Sequence, residues 1–445
     1  MAAFCRRRPA ERTMPGIFKV RLRWVVIFWM FVISAIAYLD RVNISIAGQS
    51  IQKELNLTNT QLGWVFSAFV LGYALMQAPG GRLADRFGPR RVIAVGTLWW
   101  GAFTALTAIV SPKLSAVLLI LLLVRFTLGV GEAVVYPAGN RLVATWIPSG
   151  ERGIANGLIF AGVGVGAGIA PPFITYILLH HGWRWSFWMC AVMSLAAGAV
   201  WIMVCRDKPA DHPWIDSQEV SFINAGLTQR GTETRVPWRM ILGSKDVLAL
   251  TLSYFCYGYV AYIYFTWFFI YLNRVRGLDL KSSSYYGMLP FLMMATCSPL
   301  GGWVSDFLTK HLGKRVGRSG VALVGMGLSG LFVAFGAQVA DARLASIVLA
   351  GGAGALYFSL SVFWSVTADM GGRSAGSVSG VMNMGNQIGG TITGSLTPFL
   401  ASQFGWTASF LVAAGLCGVG ALTWLVVDPE RKLELELASA RQAAK

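Results

Sequence analysis

Apolar runs of about 20 residues or more, repeated along the whole chain, constrain this sequence more than any other feature. A helix rises about 1.5 Å per residue, so one such run matches the thickness of a bilayer's hydrocarbon core. Runs near 24–47, 61–80, 92–110, 115–146, 154–179 and 184–205 precede a polar stretch, 206–245. Six more follow, near 246–272, 284–305, 320–340, 344–368, 375–403 and 406–427. In hydrocarbon every backbone N–H and C=O needs an internal partner, so such runs fold as helices. The expectation is an all-α, multi-pass membrane protein of twelve transmembrane helices. Only 13% of the residues are charged, against roughly a quarter in soluble domains, which agrees.

The two sets of six runs repeat each other. Gly80-Gly81 with Asp85 recurs at Gly301-Gly302 with Asp306, Arg152 at Arg373, and Asp207 at Asp428, all at one offset. Gly182-Trp183 with Ser186-Phe187 recurs two residues off it, at Gly405-Trp406 with Ser409-Phe410. Fixed-offset similarity implies two homologous six-helix bundles. The chain then divides into an N-terminal segment (1–23), a bundle (24–205), a linker (206–245), a second bundle (246–427) and a tail (428–445). Ala35-Ile36-Ala37 superficially resembles a signal-peptide cleavage site, but cleavage there would remove half of a repeat unit.

The net charge of +17 would suit nucleic acid, yet its placement argues otherwise. Roughly 28 Lys/Arg fall in alternate loops and the termini, and about 7 in the opposite set. That bias puts both termini in the cytoplasm. The basic head (Arg6, Arg7, Arg8, Arg12, Lys19, Arg21, Arg23) then reads as an orienting flank. Six scattered cysteines and no metal-ligand spacing suggest no disulfide frame, no metal and no cofactor.

Four ionisable residues stand well inside the runs: Asp40 and Arg41 in the first, Arg125 and Glu132 in the fourth. Each costs several kcal/mol to bury and is a functional candidate for that reason. Arg125 and Glu132, seven apart, share a helix face that Tyr136 continues, and Tyr38, Arg41 and Ser45 line another stripe. A guanidinium stays charged when desolvated and grips a carboxylate bidentately, so Arg41 is the candidate anion ligand. A buried carboxylate can take up and release a proton near neutrality, so Asp40 and Glu132 are candidate proton carriers, with Arg125 tuning Glu132. The alternative is a pair of structural salt bridges between the first and fourth helices. The second half offers neutral groups instead, including Trp364, Ser365, Asn383, Asn386 and Gln387.

Gly80-Gly81-Arg82-Leu83-Ala84-Asp85-Arg86-Phe87-Gly88-Pro89-Arg90-Arg91, with its diluted copy at 301–315, resembles the signature loop of the major facilitator superfamily. The resemblance implies a six-plus-six fold and alternating access, with Gly81, Asp85, Arg86, Gly88 and Arg90 in a cytoplasmic gating loop. Tyr38-Leu39-Asp40-Arg41 and Gly129-Val130-Gly131-Glu132 resemble the anion:cation symporters, which include bacterial glucarate, galactonate and hexuronate carriers. By that resemblance Arg41, Tyr73 and Asn383 contact substrate, and Asp40 and Glu132 carry protons. The substrate-site expectation thus comprises Tyr38, Arg41, Tyr73, Arg125, Tyr136, Trp364 and Asn383. Small residues at Ala161 to Gly164 replace a glutamine of some galactonate carriers, which leaves other sugar acids open.

The glycine run Gly162 to Gly168 lies in an apolar run with no P-loop ending, so helix packing is its expected role. The aromatic stretch Tyr254 to Tyr271 suits an interfacial belt or a sugar platform. The expected partners are a small organic anion, protons and the bilayer, with no nucleic acid and a single copy of the chain. The expected location is a bacterial inner membrane. An anion exchanger or exporter on the same fold, or a non-transporting nutrient sensor, is the alternative to a proton-coupled importer; no enzyme arrangement is present.

Overall fold

A computed structural model describes residues 21–227, 235–433 and 435–437. Arg6, Arg7, Arg8, Arg12 and Lys19 of the basic head, Cys5, Arg230, Glu233 and Glu434 lie outside the described residues. The spans of the first half are α1 (Leu22–Leu55), α2 (Asn59–Phe87), α3 (Pro89–Ile109), α4 (Val117–Trp146), α5 (Arg152–His181) and α6 (Trp183–Val204). Those of the second are α7 (Lys245–Thr266), α8 (Leu280–Leu312), α9 (Val321–Gly336) and α10 (Ala342–Gly371), then a long helix, Ala375–Thr423. That helix breaks at Gly405, where φ is +85°, into α11 (375–404) and α12 (406–423). Several helices outrun their apolar stretches; α1 continues to Leu55, beyond the expected end at 47.

Local chemistry sets the ends. Thr58 and Gln61 form a reciprocal capping box that starts α2, and Asp279 and Asp341 accept first-turn amides of α8 and α10. Gly88 turns α2 into α3 at φ +89°, and Gly313 turns α8 into α9 at +86°. A side chain at either would meet the left-handed steric penalty. These glycines, and Gly182 with Gly405, place the same reversals in both halves.

The halves meet along α5 with α8 and α2 with α11. The glycine run works there by close approach. Gly162 and Gly166 lie on the backbone of α1, at Phe31 and Ala35, while Gly164 between them lies on Phe291 and Ala295 of α8. A β-carbon at Gly166 would stand 2.1 Å from the Ala35 carbonyl oxygen. Glycine is therefore required for α5 to sit between two helices.

The linker is more structured than its polarity suggested, with a helix at Ser217–Gly226. Glu219 at its start and Glu151 both bond Arg23, at 3.1 and 2.9 Å. Arg23 is buried, so it is a tie between the linker and the first bundle rather than a free orienting flank. The five described cysteines are free thiols.

Candidate functional site

Side chains from both halves converge on a small central cavity. Tyr38, Tyr73, Tyr136 and Phe160 come from the first half. The second supplies Tyr254, Tyr257, Tyr262 and Phe265 on α7, Tyr357 and Trp364 on α10, and Asn383, Asn386 and Gln387 on α11. The Trp364 indole donates to the Tyr254 hydroxyl at 2.9 Å and lies 5.0 Å from the Phe160 ring, so it crosses between the bundles. Asn383 donates to Gln77 of α2 at 2.8 Å, and Tyr262 donates to Gln387 at 2.8 Å. Phe265 stands 5.8 Å from Tyr38 and 5.4 Å from Phe291. The cavity's volume is about 30 Å³, room for a water molecule or so.

Arg41 lies beside this basket. Its guanidinium pairs with Glu132 at 2.6 Å and stacks over the rings of Tyr38 and Tyr73, at 4.6 and 4.4 Å. Tyr262 approaches it from the other half. The arginine side chain keeps 15% of its surface exposed, whereas Glu132 keeps 1%. Three rings, with Phe69 at 5.2 Å, and one carboxylate hold the guanidinium without using all its donors; its Nε has no hydrogen-bond partner among the described residues.

Asp40 and Arg125 occupy a different place. Asp40 points away from the cavity, where Thr104 of α3 donates to it at 2.6 Å; its second oxygen has no partner among the described residues. Arg125 is buried with its guanidinium 5.0 Å from the Phe69 ring. It does not line the cavity, where the substrate-site expectation had put it, and it forms no direct ion pair with Glu132. The reason is that α1 inserts Arg41 at the Glu132 carboxylate first. Of the residues expected at the substrate site, Tyr38, Tyr73, Tyr136, Trp364 and Asn383 line one cavity, Arg41 adjoins it, and Arg125 does not.

Several lining residues went unrecognised in the sequence. Tyr357 was detectable, because it stands 221 positions after Tyr136, the offset of the repeat; Tyr262, already within the aromatic stretch, stands 221 after Arg41. Phe160 of the lining, and Gln77 and Thr104, which bond Asn383 and Asp40, carried no signal, since neutral polar and aromatic residues are ordinary in membrane helices. The aromatic stretch divides. Tyr254, Tyr257, Tyr262 and Phe265 face the cavity, whereas Tyr259 packs on Thr397 and Trp267 on Trp406.

The signature loop ties the halves together on the linker face. Asp85 accepts the amides of Gly376 and Ser377 at the start of α11, at 3.0 and 2.8 Å, and the Ser377 hydroxyl at 2.5 Å. Its repeat counterpart Asp306 accepts the amides of Gly153 and Ile154 at the start of α5, at 2.9 and 2.8 Å. Each carboxylate thus caps a helix of the opposite bundle, where the amide dipoles favour negative charge. Gly81 allows this: a β-carbon there would fall 1.9 Å from the Gly376 carbonyl oxygen. Arg86 is exposed beside Phe87, and Arg90 binds the Ile202 carbonyl while its amide meets Asp207 at 2.9 Å. Arg152 pairs with Asp369, which Lys314 also meets at 2.7 Å, and Asn140 reaches Thr367 at 2.9 Å. These groups extend the charge inventory: Asp306, Arg318 and Asp369 are buried in the second half, at the ends of its spans.

The family profile described as Major Facilitator Superfamily matches residues 30–311 and 307–444. The chain is 35% identical over 415 residues to the probable sulfoacetate transporter SauU of Cupriavidus necator, covering 92% of this chain and 95% of that one. It is 29% identical over 434 residues to the probable galactarate/D-glucarate transporter GudP of Escherichia coli, covering 93% and 95%. The proton:xylose symporter XylE shares its fold at a TM-score of 0.76 and 14% identity, over 94% of this chain and 99% of that one.

Proposed function

The chain belongs to the major facilitator superfamily, and from that membership we propose that it is a proton-coupled symporter importing small organic anions. The observation that carries the reading is the Arg41–Glu132 pair beside the central cavity. An anion that binds Arg41 competes with Glu132 for the guanidinium, and a proton on Glu132 weakens that competitor. Proton loading and anion binding therefore favour each other, which is what coupling requires. Asp40, held by Thr104 outside the cavity, serves as the second proton group. The phenols and amides around the cavity suit the hydroxyls of sugar acids such as glucarate, galactonate and hexuronates. The likeness to a probable sulfoacetate carrier favours a short sulfonated acid as the second substrate reading.

The positive-residue bias supports a linker face on the cytoplasmic side of a bacterial inner membrane, and on that reading the described state is closed inward. Substrate would enter from the other side as Phe265 and Tyr38 part. The test is uptake of labelled glucarate, galactonate, glucuronate and sulfoacetate into proteoliposomes under an imposed pH gradient. Arg41→Ala is expected to lower uptake at least ~100-fold, the scale of a lost charge-assisted bidentate contact. The Asp40→Asn/Glu132→Gln variant should lose its response to the gradient. A response as steep as that of the native protein would sink proton coupling through these groups.

A further inference from the structure

A second cavity lies on the linker face and shares no residue with the central basket. Its volume is about 320 Å³, within the roughly 300–1,000 Å³ of ligand pockets. Its walls come from the signature loop, the end of α4 with the start of α5, the turn between α10 and α11, the linker and the tail. Arg86, Arg141, Arg152, Lys208, Arg373 and Lys432 line it, opposed by three carboxylates, Asp85, Asp207 and Asp369.

The carboxylates are all engaged already, Asp85 with Arg141 at 3.7 Å and Asp369 with Arg152, so two of the lining arginines are matched. Asp85 holds the first amides of α11, Asp207 the amide of Arg90, and Asp369 is shared by Arg152 and Lys314. Arg86, Lys208 and Lys432 form no ion pair among the described residues. The cavity is therefore electropositive, large enough for a compact ligand, and walled by both bundles at once.

We propose that this cavity binds a compact phosphate-bearing anion that holds the linker face closed. A phosphoryl group offers about two charges and three acceptor oxygens, which matches several guanidinium and ammonium groups better than one carboxylate does. Because the walls come from both halves, the site is complete only in this state. A ligand that binds one of two alternating states draws the population to it and slows the cycle.

Lys208→Gln/Lys432→Gln tests this, since both residues lie on the linker and tail and neither belongs to the substrate site or the signature loop. The full chain is placed in phosphatidylcholine nanodiscs and titrated with inorganic pyrophosphate, with sulfate at matched ionic strength as the control. Pyrophosphate is expected to raise the melting temperature saturably, with half-saturation roughly tenfold or more higher in the variant. Pyrophosphate at the linker face of proteoliposomes should slow uptake by the native protein and not by the variant. Nanodiscs with phosphatidylglycerol identify the source. Stabilisation by that lipid, lost in the variant and without a pyrophosphate effect, assigns the site to a lipid headgroup. Equal responses of native and variant protein to both probes, or equal shifts with sulfate, would overturn the site. The melting readout needs no transport, so its failure leaves the proposed carrier function standing.

Discussion

Arg41 and Glu132 hold each other at 2.6 Å between α1 and α4, with the carboxylate almost fully buried. Removing only the arginine strands that carboxylate, which costs about 3–5 kcal/mol in comparable pairs. Arg41→Ala should therefore lower the melting temperature of the purified protein more than Arg41→Ala/Glu132→Gln does. Equal losses would show that the two charges do not depend on each other. All four charged residues were legible in the sequence, because an ionisable group in a long apolar run is conspicuous. Their partners were not. Arg125 and Glu132 do share a face of one helix, yet the ion pair forms with a residue 91 positions away. Thr104, the donor to Asp40, is one of many threonines in the spans and stands out only when α3 lies against α1.

Helix ends carry the signature loop's work. Asp85 and Asp306 each cap a helix of the other bundle, so each bond exists only while the linker face is closed. Gly81→Ala places a methyl group against the Gly376 carbonyl, and the closed face cannot pack as it does here. Spin labels at the linker-face ends of α2 and α11 should then report longer distances than in the native protein; an unchanged distance distribution would refute this. Asp85→Asn keeps the shape but loses the charge, and is expected to weaken the closed state by about 1–2 kcal/mol with the same distance readout. The loop's glycines and aspartate were legible as a repeated motif. That Asp85 acts on α11 and Asp306 on α5 was not, because a motif names its own residues and not the helix opposite.

Across the whole molecule the two halves share a frame and divide the chemistry. Tyr262 occupies the repeat position of Arg41, so one half presents charge where the other presents a phenol, while Tyr136 and Tyr357 put a phenol at the same position of both. If both Asp40 and Glu132 load a proton per cycle, a monoanionic aldonate carries net positive charge inward and a dianionic aldarate moves without net charge. Aldonate uptake should then accelerate with an inside-negative potential while aldarate uptake does not. Potential-independent aldonate uptake would count against two protons. The twelve-helix, two-bundle architecture was readable from apolar run length and the 221-residue repeat, because a bilayer imposes span length and backbone pairing on any sequence that crosses it. The sequence likewise exposed which residues are too costly to bury without a purpose. Which of those charges meet, that Arg125 stands away from the cavity, and that phenols and amides from six helices close one basket were decided by packing. Such contacts join residues up to about 300 positions apart, and no local pattern specifies what a helix meets across the membrane.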